Sequence, residues 1–331
     1  MKALRYYGIK NIRFEEIPEP RPAEDKVLVN IIYAGICGSD LHIYKEGMFM
    51  EHIPETMGHE FAGKVVTAPE GCGFLPGDLV TGDPRVPCGE CPACAGKAFH
   101  RCLSLGFIGE VSPGAFSEYL AIEPSKLVKF SPEVDPGQGV LAEPLAVAVH
   151  AVERIMNAAP QKVLVVGGGP IGLLIATLLK NHHHLNHVAV ADIDGFRRRK
   201  AMDAGADVTY ETLKEAEDAY EYVVDAVGSP GVMAEIISSI LPGGQIFISA
   251  IYEKLPTLDL NLVVGKELSL TGNNAYSFED LEKAVGIINA GAIDLSWMVT
   301  TIYPISQGEE AFKSLIKKEK QDLKIVIDPR R

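Results

Sequence analysis

Apolar positions change their period part-way along the chain. From about Gly139, Leu141, Leu145, Val149, Val152 and Ile155 recur three or four residues apart, which marks one face of a helix. Upstream the pattern is β-rich. Val27–Ile32 and Phe61–Val66 are apolar, β-branched runs, and Pro76-Gly77-Asp78 predicts a turn into a strand at Leu79-Val80. After Pro160 strands and helices alternate. Strands are predicted at Lys162–Val166, Val188–Ala191, Tyr222–Ala226, Gln245–Ile251 and Leu268–Gly272. Helices are predicted between them at Pro170–Asn181, Phe196–Ala204 and Val232–Leu241. Such alternation predicts a parallel sheet covered on both faces. The tail predicts helices near Phe278–Ala290 and Ser306–Lys317 and a last strand at Lys324–Ile327. It is too long for a trailing arm and is expected to return to the first domain. The expected division is 1–144, 145–272 and 273–331, with the middle segment inserted between two parts of the other domain.

Length and charge narrow the function classes. A chain of 331 residues that is 47% hydrophobic suits two ordinary domains with sizeable cores. The start, MKALRYYGIKNIRF, lacks the apolar run of a secretory signal, and no stretch approaches the length of a membrane span. Six cysteines without such a signal point to a reducing, cytoplasmic setting. A net charge of −13 opposes polyanions, so neither nucleic acid nor membrane is expected as a partner.

Two motifs carry chemistry on their own. Cys88, Cys91, Cys94 and Cys102 are separated by two, two and seven intervening residues, with Gly89, Pro92 and Gly96 supplying turns. Short regular spacings let one loop wrap four thiolates around a tetrahedral zinc, and four protein ligands leave no place for a substrate. This predicts a structural zinc lobe over 87–104. Gly167-Gly168-Gly169-Pro170-Ile171-Gly172 follows the strand KVLVV and opens a helix. In that setting Gly167 allows the tight turn, Gly169 lets a pyrophosphate approach the backbone, and Gly172 lets helix and strand pack closely. Asp192 follows 25 residues after Gly167, where a carboxylate accepts from an adenosine ribose diol and repels a 2′-phosphate. Arg197 nearby is the counter-argument, and NAD is expected over NADP. His182, His183 and His184 read as the polar end of a helix.

Cys37 in CGSDLH, GHEFAG from Gly58, GAFSEY from Gly114 and EPLAVAVH from Glu143 complete the set. With these motifs in this order, essentially the whole chain resembles the zinc-containing medium-chain alcohol dehydrogenases. Glu143-Pro144 looks like the polyol branch, which holds sorbitol, butanediol and threonine dehydrogenases. The resemblance implies a Rossmann doubly wound sheet inserted in a β-rich, GroES-like catalytic domain. It also implies a second, catalytic zinc held by Cys37, His59 and a carboxylate, either Glu60 or Glu143, for two zinc ions per chain. Zinc lowers the pKa of a bound hydroxyl, and the carbon then passes hydride to the nicotinamide. Ser39 and then His42 are expected to carry the proton away, and Glu60 is a candidate for the same chemistry. Lys324 matches a basic position near cofactor phosphates in some relatives. Substrate-facing walls are expected at Tyr44–Phe49, Phe107–Val111 and Asn273–Tyr276. The implied partner is a small secondary alcohol or polyol (sugar alcohol, diol or cyclitol), and the implied assembly a homodimer or homotetramer. Alternatives are oxidation of an amino acid in the manner of L-threonine 3-dehydrogenase, which needs a cation for the substrate carboxylate, and a non-catalytic dinucleotide-binding relative, against which Cys37, His59 and Glu143 stand.

Overall fold

The strand Val27–Gly35 organises the first of two compact units. In the computed structural model, which describes residues 1–216, 219–317 and 321–331, this unit comprises Met1–Glu143 and Ser277–Arg331. Val27, Val29 and Ile31 alternate inward and are wholly buried. The strand pairs antiparallel with Glu60–Thr67, with Tyr119–Ile122 and with the C-terminal strand Lys324–Asp328. Lys324–Asp328 in turn runs parallel to Val299–Pro304. The tail is therefore an interior strand, buried at every position. Phe312 from the tail packs edge-on to Phe116 and tilted against Tyr44, at 6.0 and 5.3 Å, which fastens both ends of the chain into one core. An N-terminal hairpin, Lys2–Gly8 with Asn11–Glu16, joins this unit. Its apolar residues are too interleaved with Arg5, Arg13 and Glu15 for periodicity to mark it out.

The second unit, Pro144–Tyr276, holds six parallel strands. Their order across the sheet is Val208–Tyr210, His187–Ala191, Lys162–Val166, Tyr222–Asp225, Gln245–Ile248 and Ser269–Gly272. Val163 to Val166 are buried because the strand is paired on both edges and helices cover the sheet. Strand order reverses across Lys162–Val166, so the loop after it lies at the switch point where open α/β sheets bind ligands. The structure differs from expectation in the helix after that loop. It is α-helical over Pro170–Thr177 and then π-helical over Leu178–His182. Thr177 Oγ1 donates back to the Leu173 carbonyl at 2.8 Å, a bond that bends helices, and His183 N–H reaches the Leu178 carbonyl five residues back. His182, His183 and His184 are exposed on this turn. Among the described residues no helix is long and apolar enough to cross a membrane.

Candidate catalytic metal and cofactor sites

One end of the first unit's sheet brings three remote segments together. Gly35 at the end of its strand faces Glu60 at the start of the next, and Val326 faces Gly35 from the other side. This register sets Cys37, His59, Glu60 and Lys324 around one point. A Cβ on Gly35 would sit 2.1 Å from Glu60 Oε2, so glycine there makes the room for the carboxylate. Cys37 caps the helix Gly38–Glu46, and its N–H donates to Asp40 Oδ2 at 2.8 Å. Ser39 and His42 lie on that helix one turn apart.

Cys37, His59 and Glu60 offer ligand atoms that all lie within 4.8 Å of one another. Glu143 is buried and acts on His59 and Lys324 electrostatically, but it is outside this set. His59 Nε2 stands 3.4 Å from Ser39 Oγ, and its Nδ1 faces Asp40 Oδ1 at 3.8 Å. Phe107 packs edge-on to the imidazole at 5.9 Å. Burial pushes the His59 imidazolium down, yet Asp40, Cys37 and Glu143 outweigh it and hold the group well above the ordinary histidine range. Asp40 is pushed up by burial. The surroundings therefore favour positive charge. Asp40 Oδ1 and His59 Nδ1 are buried atoms without hydrogen-bond partners, whereas Glu60 Oε2 faces Lys324 Nζ at 2.5 Å. One cysteine sulfur, one imidazole and one carboxylate within this distance are donor types that a zinc ion takes.

Lys324 is engaged within this cluster. Its Nζ donates to Glu60 Oε1 at 2.6 Å and to the Ile36 carbonyl at 3.0 Å. Burial opposes its charge, but the Glu60 carboxylate outweighs burial and holds the ammonium above its usual range. Both of these contacts lie inside the first unit. Sequence reasoning missed Lys324's partner, and it gave Asp40 no role although that residue lies within CGSDLH. An acid at the third position of a helix that begins at a ligand cysteine was the available signal.

The four-cysteine lobe is equally well defined. Cys91, Cys94 and Cys102 are buried, and Cys88 is exposed. Cys91 caps the short helix Pro92–Ala95, which turns Cys94 back beside it. Cys91 Sγ is 3.5 Å and Cys88 Sγ 3.9 Å from Cys94 Sγ, and Cys88 N–H points at Cys102 Sγ at 3.2 Å. A zinc–sulfur bond of about 2.3 Å gives a tetrahedral edge of about 3.8 Å, which these separations bracket. A disulfide would need about 2.05 Å. Backbone N–H groups of Leu103 and Cys94 pull the Cys91 thiol down to about 6, while burial pushes the Cys94 thiol beside it up to about 12.

In the second unit Gly167 adopts φ 105°, open only to glycine at low cost, and a Cβ on Gly172 would lie 1.9 Å from the Gly167 carbonyl oxygen. Gly169 caps the helix that Pro170 and Ile171 begin, and a Cβ there would meet nothing within 4 Å, so this side of the loop is open. Asp192 Oδ2 accepts from Gly168 N–H at 2.7 Å and Oδ1 from Asp194 N–H at 2.8 Å. Arg197 Nη1 lies 3.5 Å from Asp192 Oδ2. The loop, its helix N-terminus and the acid at the next strand's end form one anion-accepting and diol-accepting surface.

Comparison with known proteins decides the lineage. Residues 23–133 match the profile of the alcohol dehydrogenase GroES-like domain, and residues 170–290 that of the zinc-binding dehydrogenase domain. The 2-dehydro-3-deoxy-L-galactonate 5-dehydrogenase of Pseudoalteromonas atlantica is 34% identical over 95% of both chains. The chain belongs to the zinc-containing medium-chain alcohol dehydrogenase family. The (R,R)-butanediol dehydrogenase of Bacillus subtilis is likewise 34% identical, over 99% of this chain and 100% of its own. A zinc-binding dehydrogenase from Sinorhizobium meliloti, solved with NADP, superimposes with a TM-score of 0.88 at 26% identity, over 99% of each chain. This family member is an oxidoreductase, a zinc-dependent alcohol or polyol dehydrogenase of the polyol-like branch, built from a GroES-like and a Rossmann-type domain.

Proposed function

We propose that this dehydrogenase oxidises a secondary hydroxyl of an uncharged polyol, diol or cyclitol and delivers the hydride to NAD. The clustering of Cys37, His59 and Glu60 carries the reading, because it supplies three ligands of mixed type and leaves a fourth position for substrate. Zinc bound there supplies Lewis acidity, which lowers the pKa of a bound hydroxyl. Asp40, facing His59 Nδ1, orients the ring so that its other nitrogen serves as ligand. Glu60, inside the 4.8 Å set, is the carboxylate ligand, and Glu143 the acceptor beside the open position. Ser39 Oγ takes the hydroxyl proton and His42, one helical turn on, passes it outward. The second zinc belongs to Cys88, Cys91, Cys94 and Cys102 and stabilises the lobe.

Asp192 supports NAD over NADP. Its carboxylate is held in place by two backbone N–H groups, and Arg197 is turned toward it, so a 2′-phosphate would meet negative charge first. A threonine-like substrate would need a cation beside the metal site, and the buried cation there, Lys324, already serves Glu60. The edge strand Ser269–Gly272 is paired on one side only, and Leu270, Leu260 and Val264 near it are exposed, which supports a homodimer formed along this edge. Six free cysteines fit a cytoplasmic setting.

The test is a screen of zinc-replete protein against secondary alcohols, sugar alcohols, cyclitols, sugar phosphates, sugar acids and threonine, read by NADH absorbance. Turnover is expected on uncharged polyols or diols and is expected to vanish in Cys37→Ser. Turnover restricted to threonine, or undiminished in Cys37→Ser, would overturn the reading.

A further inference from the structure

Asp225 is a wholly buried carboxylate at the end of the strand Tyr222–Asp225 in the second unit. That strand runs beside Lys162–Val166 with Asp225 opposite Val166, so the carboxylate is one strand away from the Gly167 loop. Both of its oxygens are engaged. Oδ1 accepts from the Val227 and Gly228 N–H groups at 2.9 and 3.3 Å. Oδ2 accepts from the Tyr252 hydroxyl. Tyr252 belongs to the loop after the next strand, Gln245–Ile248, and its side chain packs on the unit's core. Two loops at the carboxyl edge of the sheet are thereby joined through one buried side chain.

Backbone packing makes the joint tight. Gly228 has φ 71°, and a Cβ on it would lie 2.2 Å from the Ile251 carbonyl oxygen. A Cβ on Gly167 would lie 2.8 Å from Val227 Cγ2 and 3.0 Å from the Ala226 carbonyl oxygen. The segment from Ala226 to Gly228 is thus held between the glycine-rich loop and the Tyr252 loop. Val227 and Ile251, one from each of the joined loops, are nevertheless 44% and 46% exposed. They form an apolar ledge that no part of the reaction above uses.

A dinucleotide on such a sheet lies across the point where strand order reverses, one mononucleotide to each side. Asp192 follows the strand His187–Ala191, on one side of Lys162–Val166. Val227 and Ile251 follow the two strands on the other side. With the adenosine at Asp192, the second nucleoside falls to the side of the ledge.

We propose that Tyr252 is a positioning residue for the nicotinamide nucleoside: its hydroxyl, bonded to Asp225, fixes the Val227 and Ile251 loops as one ledge under that half of NAD. This rests on the reading that the Gly167 loop and Asp192 bind NAD. A ledge already fixed before binding spares the cofactor the cost of ordering it. Without the hydroxyl, Asp225 Oδ2 loses its donor and the two loops lose the side-chain bond between them.

The experiment measures dissociation constants of NADH and ADP by titration calorimetry in wild type, Tyr252→Phe and Ile251→Ala. ADP keeps the adenosine and the pyrophosphate and lacks the second nucleoside. The fitted stoichiometry counts folded sites, so a partly unfolded preparation does not distort the comparison. In Tyr252→Phe the constant for NADH should rise on the order of 10-fold while that for ADP stays within twofold. Ile251→Ala leaves the Asp225 bond intact and trims the ledge, so NADH alone should weaken, by about 4-fold, the equivalent of one buried CH₂. Equal weakening of NADH and ADP in both variants, or an NADH-to-ADP ratio within twofold of wild type in both, would overturn the proposal. Failure of the cofactor reading shows differently, as ADP binding that is the same in Asp192→Ala as in wild type.

Discussion

Lys324→Met tests how the metal site is built. Lys324 and Glu60 are 2% and 0% exposed, and the lysine's hydrogen bond to the carboxylate is 2.6 Å long. Methionine keeps much of the stem's volume and removes the charge, so Glu60 is left as a buried, uncompensated carboxylate. Breaking a buried pair in this way costs about 3–5 kcal/mol. Zinc shares the compensation of Glu60, so the zinc-replete protein should lie near the lower end, about 3 kcal/mol. For a unit of this size that corresponds to a fall in Tm of roughly 6–12 °C. The only tryptophan, Trp297, belongs to the first unit, so its fluorescence during urea unfolding reports the unit concerned. The double variant Lys324→Met with Glu60→Gln should recover a large part of the loss, because a neutral amide no longer needs a cation. A loss below about 1 kcal/mol in the single variant, or equal losses in single and double variants, would refute the reasoning.

Further outcomes are expected elsewhere. Asp192→Ala should narrow or reverse the preference for NAD, read as kcat/KM for the two cofactors; a clear NADP preference in wild type would show that Arg197 dominates. Cys91→Ser should lower zinc content from two ions to one and reduce stability, measured by elemental analysis and thermal unfolding. Ser39→Ala should cost most of the turnover. His42→Ala should cost less, on the order of 10²-fold, and recover partly with added imidazole; near wild-type turnover in both with a rate-limiting hydride step would exclude the relay. Asp207, which burial pushes up but Lys180 and the Val188 N–H pull down by more, has a folded-state pKa below its usual value. Its stabilising contribution is therefore present above the unfolded pKa of about 3.9 and is lost as pH falls through the folded value. The stability gap between wild type and Asp207→Asn should accordingly shrink below about pH 4; a gap that widens there would reverse the assignment.

What could be read from the chain alone depended on how locally each feature is determined. The parallel sheet was legible because each strand and helix carries its own periodicity, and the family because its motifs are short and ordered. Gly172 was legible as a packing glycine because its clash partner, the Gly167 carbonyl, lies five residues away. The N-terminal hairpin was not, since Leu4, Tyr6 and Ile12 are buried among exposed or half-buried charges. Neither was the pairing of Glu60 with Lys324, which are 264 positions apart. No rule of spacing reaches that far, and each residue alone is an ordinary charge.

The same long-range pairing has a consequence for how the site forms. Cys37 and His59 lie at the ends of strands whose pairing is settled within the first 67 residues. Lys324 arrives only when the C-terminal strand inserts beside Gly35. Until then Glu60 would enter the interior without its counter-ion, which the interior resists. Insertion of the last strand and pairing of the Glu60 carboxylate with its cation are therefore one event. Side chains alternate across a strand, so a slip of one residue in that last pairing would turn Lys324 to the opposite face and leave Glu60 unpaired. The wholly buried run from Lys324 to Asp328 does not fix the register through hydrophobic alternation, since every position is inside. The Lys324–Glu60 contact, with its second bond to the Ile36 carbonyl, supplies what alternation cannot. It ties the correct register of the tail to the correct charge at the metal site.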